Sequence, residues 1–435
     1  MKETSMSFEY PIIDTYYGRK AYGTQVCDFE ERINVERMRN YRLKRTKDQL
    51  IKNNLGAILS FNEWNMRYIT GTWVPSWTTP SSGLRYALLP VTAKNAILYE
   101  QGDIGYHTKN IAPWLEKVKV AMTGFGNIGV VMGPNYNIVQ RNKLIQQIVD
   151  DLKAYGVDKE TLALDVWDPT VVAAFEKAGI KVSPIGSLMM LQARKIKNQD
   201  EIECLRACCA IGEKMFDACK QAIRPGIKEN ELMGIAHKVA YDEGAEVYAG
   251  MLVTSGGFGW PNSRYATDRM VRPGETVYID IYNTAFLGYK ICYYRTFSCG
   301  PATQEAKDDY AEALGWLYDA INIIKPGVTT KELVEKWPPG PSVWGDILTK
   351  YEDQTAANNW GHGIGLALYE YPIVWRPASL EDPLTLEPGM TFAIETQHGR
   401  PGKHGVRIEE MVAVTETGFE MLSKYPVAGI TECLF

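Results

Sequence analysis

Residues Leu386-Glu-Pro-Gly-Met-Thr-Phe-Ala-Ile-Glu395 read as a Pro-Gly turn feeding an apolar β-strand that closes on a carboxylate. The same phrase occurs 115 residues earlier as Val271-Arg-Pro-Gly-Glu-Thr-Val-Tyr-Ile-Asp280. A second echo pairs Ile223-Arg-Pro-Gly-Ile-Lys-Glu-Asn-Glu-Leu232 with Ile324-Lys-Pro-Gly-Val-Thr-Thr-Lys-Glu-Leu333, where a helix ends at Pro-Gly and another begins. Two unlike elements repeated in the same order predict two similar halves. If the halves pack about a pseudo-two-fold axis, Asp280 and Glu395 converge on an acidic centre. A duplication of purely structural value is the alternative.

The rest of the chain fits around that unit. Its 435 residues suit two or three domains. Apolar content of 45% and charged content of 23% are ordinary for a globular protein. A net charge of −5 gives no electrostatic case for nucleic acid, and no apolar run of membrane-spanning length occurs. The N-terminus lacks the apolar core of a signal peptide, which sets the expectation of a cytoplasmic protein. The eight cysteines form no C-x-x-C pair; Cys204, Cys208, Cys209 and Cys219 share one predicted helix, where burial explains them. Residues 1–33 read as an irregular arm, and 1–193 as an N-terminal α/β domain of alternating strands and helices. Residues 194–435 form the second domain. Gly124-Phe-Gly-Asn-Ile-Gly129 matches a dinucleotide-binding pattern, but Val-Val-Met-Gly-Pro-Asn follows where that pattern needs a helix N-terminus to hold a pyrophosphate.

Four residues of the second domain carry candidate chemistry. Asp280 and Glu395 end their strands. His362 lies in Gly361-His-Gly-Ile-Gly365, and Glu409 in Gly405-Val-Arg-Ile-Glu409. Carboxylates with one imidazole, all on strands, suit a divalent metal. Salt-bridged structural carboxylates are the plain alternative for any one of them. Aromatic residues crowd the same segments: Trp73, Trp77, Trp260, Tyr282, Tyr289, Tyr293, Trp360 and Tyr369 are expected to border the site. Aromatic faces beside carboxylates bind quaternary ammonium or sulfonium groups by cation–π attraction, whereas core packing explains each ring singly.

Here the motifs resemble a family. Asp280 with the Gly288-Tyr-Lys-Ile-Cys-Tyr-Tyr-Arg-Thr296 landmark, then Gly361-His-Gly-Ile-Gly-Leu366, Glu387-Pro-Gly-Met-Thr-Phe-Ala-Ile-Glu395 and Gly405-Val-Arg-Ile-Glu409, resemble the methionine aminopeptidase, prolidase and creatinase superfamily. The resemblance implies a creatinase-type N-terminal domain followed by a pita-bread domain, an α/β plus α+β architecture, and a homodimer. It implies that Asp280, His362, Glu395 and Glu409 ligate metal. Cys292 stands where the family has a second aspartate. The resemblance therefore implies one iron, zinc or manganese ion with Cys292 as a candidate ligand, or none. Two further imidazoles of the peptidases are replaced, one of them by Tyr369. Tyr282 and Tyr369, with His362, Glu395 and Glu409, are the candidate catalytic groups. The segments Arg37–Leu43, Ala57–Phe61, Asn65–Thr70 and Thr415–Pro426 look like those of the dimethylsulfoniopropionate lyases of this fold. The expected function is a hydrolase or lyase cleaving a C–N or C–S bond in an amino-acid-like, betaine or sulfonium zwitterion, DMSP-lyase- or creatinase-like. The alternatives are a metal-dependent Xaa-Pro dipeptidase with an altered site and a non-catalytic binding protein on the same scaffold.

Overall fold

The computed structural model describes residues 33–73, 83–247, 250–261, 265–340, 343 and 359–435. Asn34 caps the first helix, Val35–Lys52, by accepting from the Arg37 amide. The strand that follows, Leu55–Ser60, is apolar except at its end and buried at every position. It is central in a mixed six-stranded sheet, ordered Lys117–Val120, Ile97–Glu100, Tyr86–Pro90, Leu55–Ser60, Thr161–Leu164, Val182–Ser183. Its alternate residues serve two cores. Ala57 and Leu59 pack with the helix Pro134–Ala154, and Ile58 packs with the first helix. A buried strand sandwiched this way has no need of polar alternation. The glycine-rich stretch is used for packing: a side chain at Gly124 would meet the Arg141 backbone nitrogen of the Pro134–Ala154 helix at 2.0 Å.

The second domain shows the duplication bond for bond. Helix Gln199–Ala222 ends before Pro225-Gly226 and helix Glu229–Asp242 follows; helix Gln304–Ile321 ends before Pro326-Gly327 and helix Thr330–Val334 follows. The Gly226 amide donates to the Val271 carbonyl at 2.9 Å, and Val271 donates back to Ile227 at 2.8 Å. In the other half Gly327 donates to Leu386 at 3.0 Å and Leu386 donates back to Val328 at 2.7 Å. All four turn glycines sit at positive φ: Gly226 at 86°, Gly327 at 90°, Gly274 at 80° and Gly389 at 84°. Side chains disfavour this region, so the Pro-Gly echo is a conformational requirement met four times.

Each half continues into a long antiparallel hairpin, Thr276–Phe286 with Tyr289–Cys299 and Thr391–Arg400 with His404–Val414. Each hairpin is the centre of its own five-stranded sheet. The two are stitched along their second strands. Thr296 Oγ1 donates to the Arg407 carbonyl at 2.8 Å and accepts from the Arg407 amide at 2.9 Å. Arg295 donates to the Glu409 carbonyl at 2.6 Å and pairs with Glu410 at 2.9 Å, both side chains buried. Polar contacts at and across the domain junction hold the N-terminal domain to this one. Arg194 Nε and Lys197 Nζ donate to the two oxygens of Glu370, at 3.0 and 2.9 Å. Arg42 of the first helix donates to the Tyr289 hydroxyl at 2.7 Å. Arg37 pairs with Asp200 at 2.7 Å.

Candidate active site

Strand alternation decides which side chains meet between the hairpins. Asp280 is the cross-strand partner of Tyr294, Tyr282 of Cys292, and Glu395 of Glu409. These even-numbered residues of the first hairpin point one way, while Tyr289, Ile291 and Tyr293 point into the helix-side core. His362 comes from the strand Asn359–Gly363, which pairs with the Glu395 strand. A register shift in that strand brings Asn359 and His362 to the same face.

Together they line a cavity of about 590 Å³. Asp280, Tyr282, Cys292, His362, Tyr369 and Glu395 are in its wall. So are residues the sequence did not single out for a role, chiefly Tyr294, Arg407, Asn359 and Trp375. Arg407 stood inside the quoted Gly-Val-Arg-Ile-Glu run, so its proximity to the acids was readable there; Trp375 and Asn359 carried no such signal. Glu409 lies behind the wall, fully buried. Its carboxylate, the Cys292 thiol and the His362 ring each offer a ligand atom, and these atoms lie within 4.8 Å of one another.

The electrostatics are those of acids crowded out of water. Burial, reinforced by the Glu395 charge and eased by Tyr294 and Arg407, pushes Asp280 up to about 8. Burial and the charges of Glu395 and Asp280 push Glu409 well above the carboxylate range. Burial and the same acids raise the Cys292 thiol. Burial lowers His362 to about 4, so its imidazole is neutral at pH 7. The ring's Nδ1 is 3.0 Å from the Gly363 carbonyl, which assigns the proton to Nδ1 and leaves Nε2 its lone pair. Tyr369 stacks obliquely on that ring at 4.4 Å, half-exposed at the cavity, and its hydroxyl is raised by burial.

Five of the expected aromatic wall residues fall elsewhere, for identifiable reasons. Trp360 is turned into the core, where it stacks on Trp337 at 5.4 Å. Trp260 packs in the same core with its ring 6.1 Å from His398. Tyr289 and Tyr293 are on the odd-numbered face of their strand; Tyr289 bonds Arg42 and Glu201, and Tyr293 packs edge-on against Phe216 at 5.0 Å. Trp73 is partly exposed, and its carbonyl accepts from Arg85; it is absent from the cavity wall. Trp77 lies outside the described residues.

Residues 203–416 match the model of metallopeptidase family M24. This part of the chain belongs to that family. The whole chain resembles proteins of more than one activity. It is 25% identical to an Xaa-Pro dipeptidase of Pyrococcus horikoshii, over 88% of this chain and 97% of that one. It is 26% identical to the dimethylsulfoniopropionate lyase DddP of Roseovarius nubinhibens, over 90% of this chain and 87% of that one. The fold matches a solved Xaa-Pro dipeptidase from Bacillus anthracis with a TM-score of 0.70 at 23% identity, covering 92% of this chain and all of the other. The pita-bread domain behind a creatinase-type N-terminal domain is thereby shown, and the M24 relatives are enzymes.

Family M24 implies divalent metal, and the residues here fit an ion. Both oxygens of Glu409 and Oδ1 of Asp280 are buried without a hydrogen-bond donor. Buried acceptors left so are costly, and a cation among them removes the cost. Thiolate, imidazole and carboxylate together are a donor set for zinc or iron.

Proposed function

We propose that this chain is a metal-assisted hydrolase or lyase acting on a small amino-acid-like or betaine-like zwitterion. The observation that carries the reading is the lining of the cavity. Asp280 and Glu395 face it together with Tyr265, Tyr282, Tyr294, Tyr369 and Trp375. Carboxylates among aromatic faces attract a positively charged nitrogen or sulfur, and the volume suits a small ligand. Of the five histidines in the chain, only His362 lines the cavity. One imidazole, already in the metal-fitting cluster, is a sparse supply for the proton traffic of amide hydrolysis.

Cys292, His362 and Glu409 would hold the ion, with Asp280 and Glu395 beside them. The chemistry it supplies is Lewis-acid polarisation of a substrate oxygen or activation of water. The chain's own groups do the proton work. The Asn359 amide donates to Glu395 Oε1 at 3.1 Å and so orients the carboxylate that accepts a proton from substrate or water. Asp280, the second carboxylate of the wall, lies on the opposite hairpin beside the ion site. Tyr369, half-exposed beside His362, is placed to close on a bound ligand.

A second reading, an Xaa-Pro dipeptidase, is favoured by the Pyrococcus horikoshii relative, which aligns over nearly its whole length. One assay separates the two: turnover of Xaa-Pro dipeptides against turnover of betaine, sulfonium and N-substituted amino-acid substrates by metal-loaded enzyme. Turnover confined to the second panel supports the proposal. Turnover confined to dipeptides replaces it with the peptidase reading. Tight zwitterion binding without turnover of either panel leaves a binding protein.

A further inference from the structure

Two polar atoms in the cavity wall, the amide oxygen of Asn359 and the indole N–H of Trp375, have no role in the scheme above, and their residues are neighbours. Asn359 and Trp375 are directly paired residues of adjacent antiparallel strands. Both line the cavity. The orientation of the Asn359 amide is set by its neighbour. Glu395 is a carboxylate and accepts only, so the amide nitrogen must face it, as it does at 3.1 Å. The amide oxygen is thereby turned away from Glu395, and it is buried with no donor. The Trp375 indole N–H, a donor only, is likewise buried with no acceptor. One orphan acceptor and one orphan donor therefore stand one residue pair apart on a ligand-facing wall.

We propose that Asn359 and Trp375 form a recognition pair that selects an ammonium nitrogen bearing at least one hydrogen, next to a carboxylate. The substrate N–H donates to Asn359 Oδ1, and the substrate carboxylate accepts from Trp375 Nε1. The inference rests on the zwitterion reading and narrows it. The aromatic rings attract any onium group and do not distinguish a fully alkylated one from one with N–H. The pair does distinguish them. A trimethylammonium or dimethylsulfonium group has no hydrogen to give, so it would cover Asn359 Oδ1 and leave it unsatisfied. Sites built to hydrogen-bond a ligand group reject the analogue lacking it for that reason. The substrate class is then a primary, secondary or tertiary amino acid derivative rather than a betaine or sulfonium compound.

Isothermal titration of the full-length, metal-loaded chain with glycine, N-methylglycine, N,N-dimethylglycine and N,N,N-trimethylglycine tests this directly. The series keeps the carboxylate and removes the N–H groups in turn. We expect the last step, where the final N–H disappears, to weaken binding about tenfold. Asn359→Ala should erase that step. Trp375→Phe should weaken all four ligands by a similar factor and keep the step. An affinity unchanged between the dimethyl and trimethyl ligands overturns the recognition pair while leaving the zwitterion reading intact. An unaltered step in Asn359→Ala does the same. Should Asn359→Ala not fold, the wild-type series and Trp375→Phe decide. Failure of all four ligands to bind overturns the zwitterion reading and the pair with it.

Discussion

The two hairpins of the second domain share a backbone and divide the chemistry. Asp280 and Glu395 are equivalent positions, each at the same place in its strand. Across the strands the equivalence continues: Tyr294 matches Glu409, Tyr282 matches Gln397, and Cys292 matches Arg407. The second hairpin thus has carboxyl or guanidinium groups at three of these four positions. The first keeps one acid and supplies two phenols and a thiol. The difference shows that the fold fixes where side chains converge, while their identity sets the chemistry. The second half supplies charge, and the first supplies an aromatic wall and a thiol.

The largest test of that division is catalytic. Glu395→Gln should lower kcat by about 10²–10⁴-fold, the range for loss of a general acid or base. Tyr282→Phe, in the other hairpin, should cost about tenfold or less, since only a hydroxyl goes. Equal losses measured in the two variants would erase the proposed division.

Next comes the seam. Arg295 of the first hairpin is buried against Glu410 of the second, which also accepts from Tyr318 at 3.1 Å. Glu410→Ala leaves a buried guanidinium without its counter-charge and should destabilise the protein by about 3–5 kcal/mol in urea unfolding. A loss below about 1 kcal/mol would mean that the halves do not depend on this pair.

Smaller effects should distinguish the two Pro-Gly turns. Gly274 and Gly389 have nearly the same positive φ, so alanine strains both by about 1 kcal/mol. A side chain at Gly274 meets nothing within 4 Å, whereas one at Gly389 meets the Lys197 carbonyl at 2.8 Å. Gly389→Ala should therefore be the more damaging in thermal unfolding, and equal shifts would contradict the asymmetry.

A pH-dependent effect belongs to Lys290, in the first hairpin, whose equivalent in the second is Gly405. Burial lowers its ammonium from 10.5 to about 8. The unfolded chain therefore holds a proton that the folded one has released between about pH 8 and 10.5. The contribution of this group to stability rises with pH across that window and is at its most unfavourable below it. Lys290→Met should flatten the rise, as read from urea midpoints at several pH values.

Much of this was legible in the sequence. The Pro-Gly echoes gave the duplication because a left-handed turn demands glycine and leaves a visible mark. The acids and His362 were legible because strand alternation and the spacing of the family motifs agree. The aromatic wall was legible only at Tyr282 and Tyr369. Tyr289 and Trp360 sit in site-bearing strands, where strand parity and a register shift turn them into a core, and Trp260, just beyond the short Gly256–Gly259 helix, packs into one as well. Asn359 and Trp375 reach the cavity through pairing between strands 16 residues apart, which no local pattern announces. Asn34, Arg37 and Arg42 fasten the first helix to residues more than 150 positions away, a relation equally invisible in periodicity.

The central claim is that the halves meet in a site for one divalent ion held through Cys292, His362 and Glu409. Metal content per chain, by mass spectrometry on untagged protein purified without chelator, tests it most directly when wild type is compared with Cys292→Ala and Glu409→Ala. The account predicts close to one zinc or iron per wild-type chain and loss of the ion in both variants with the fold intact. Metal-free wild type, or full occupancy in Cys292→Ala, would contradict it.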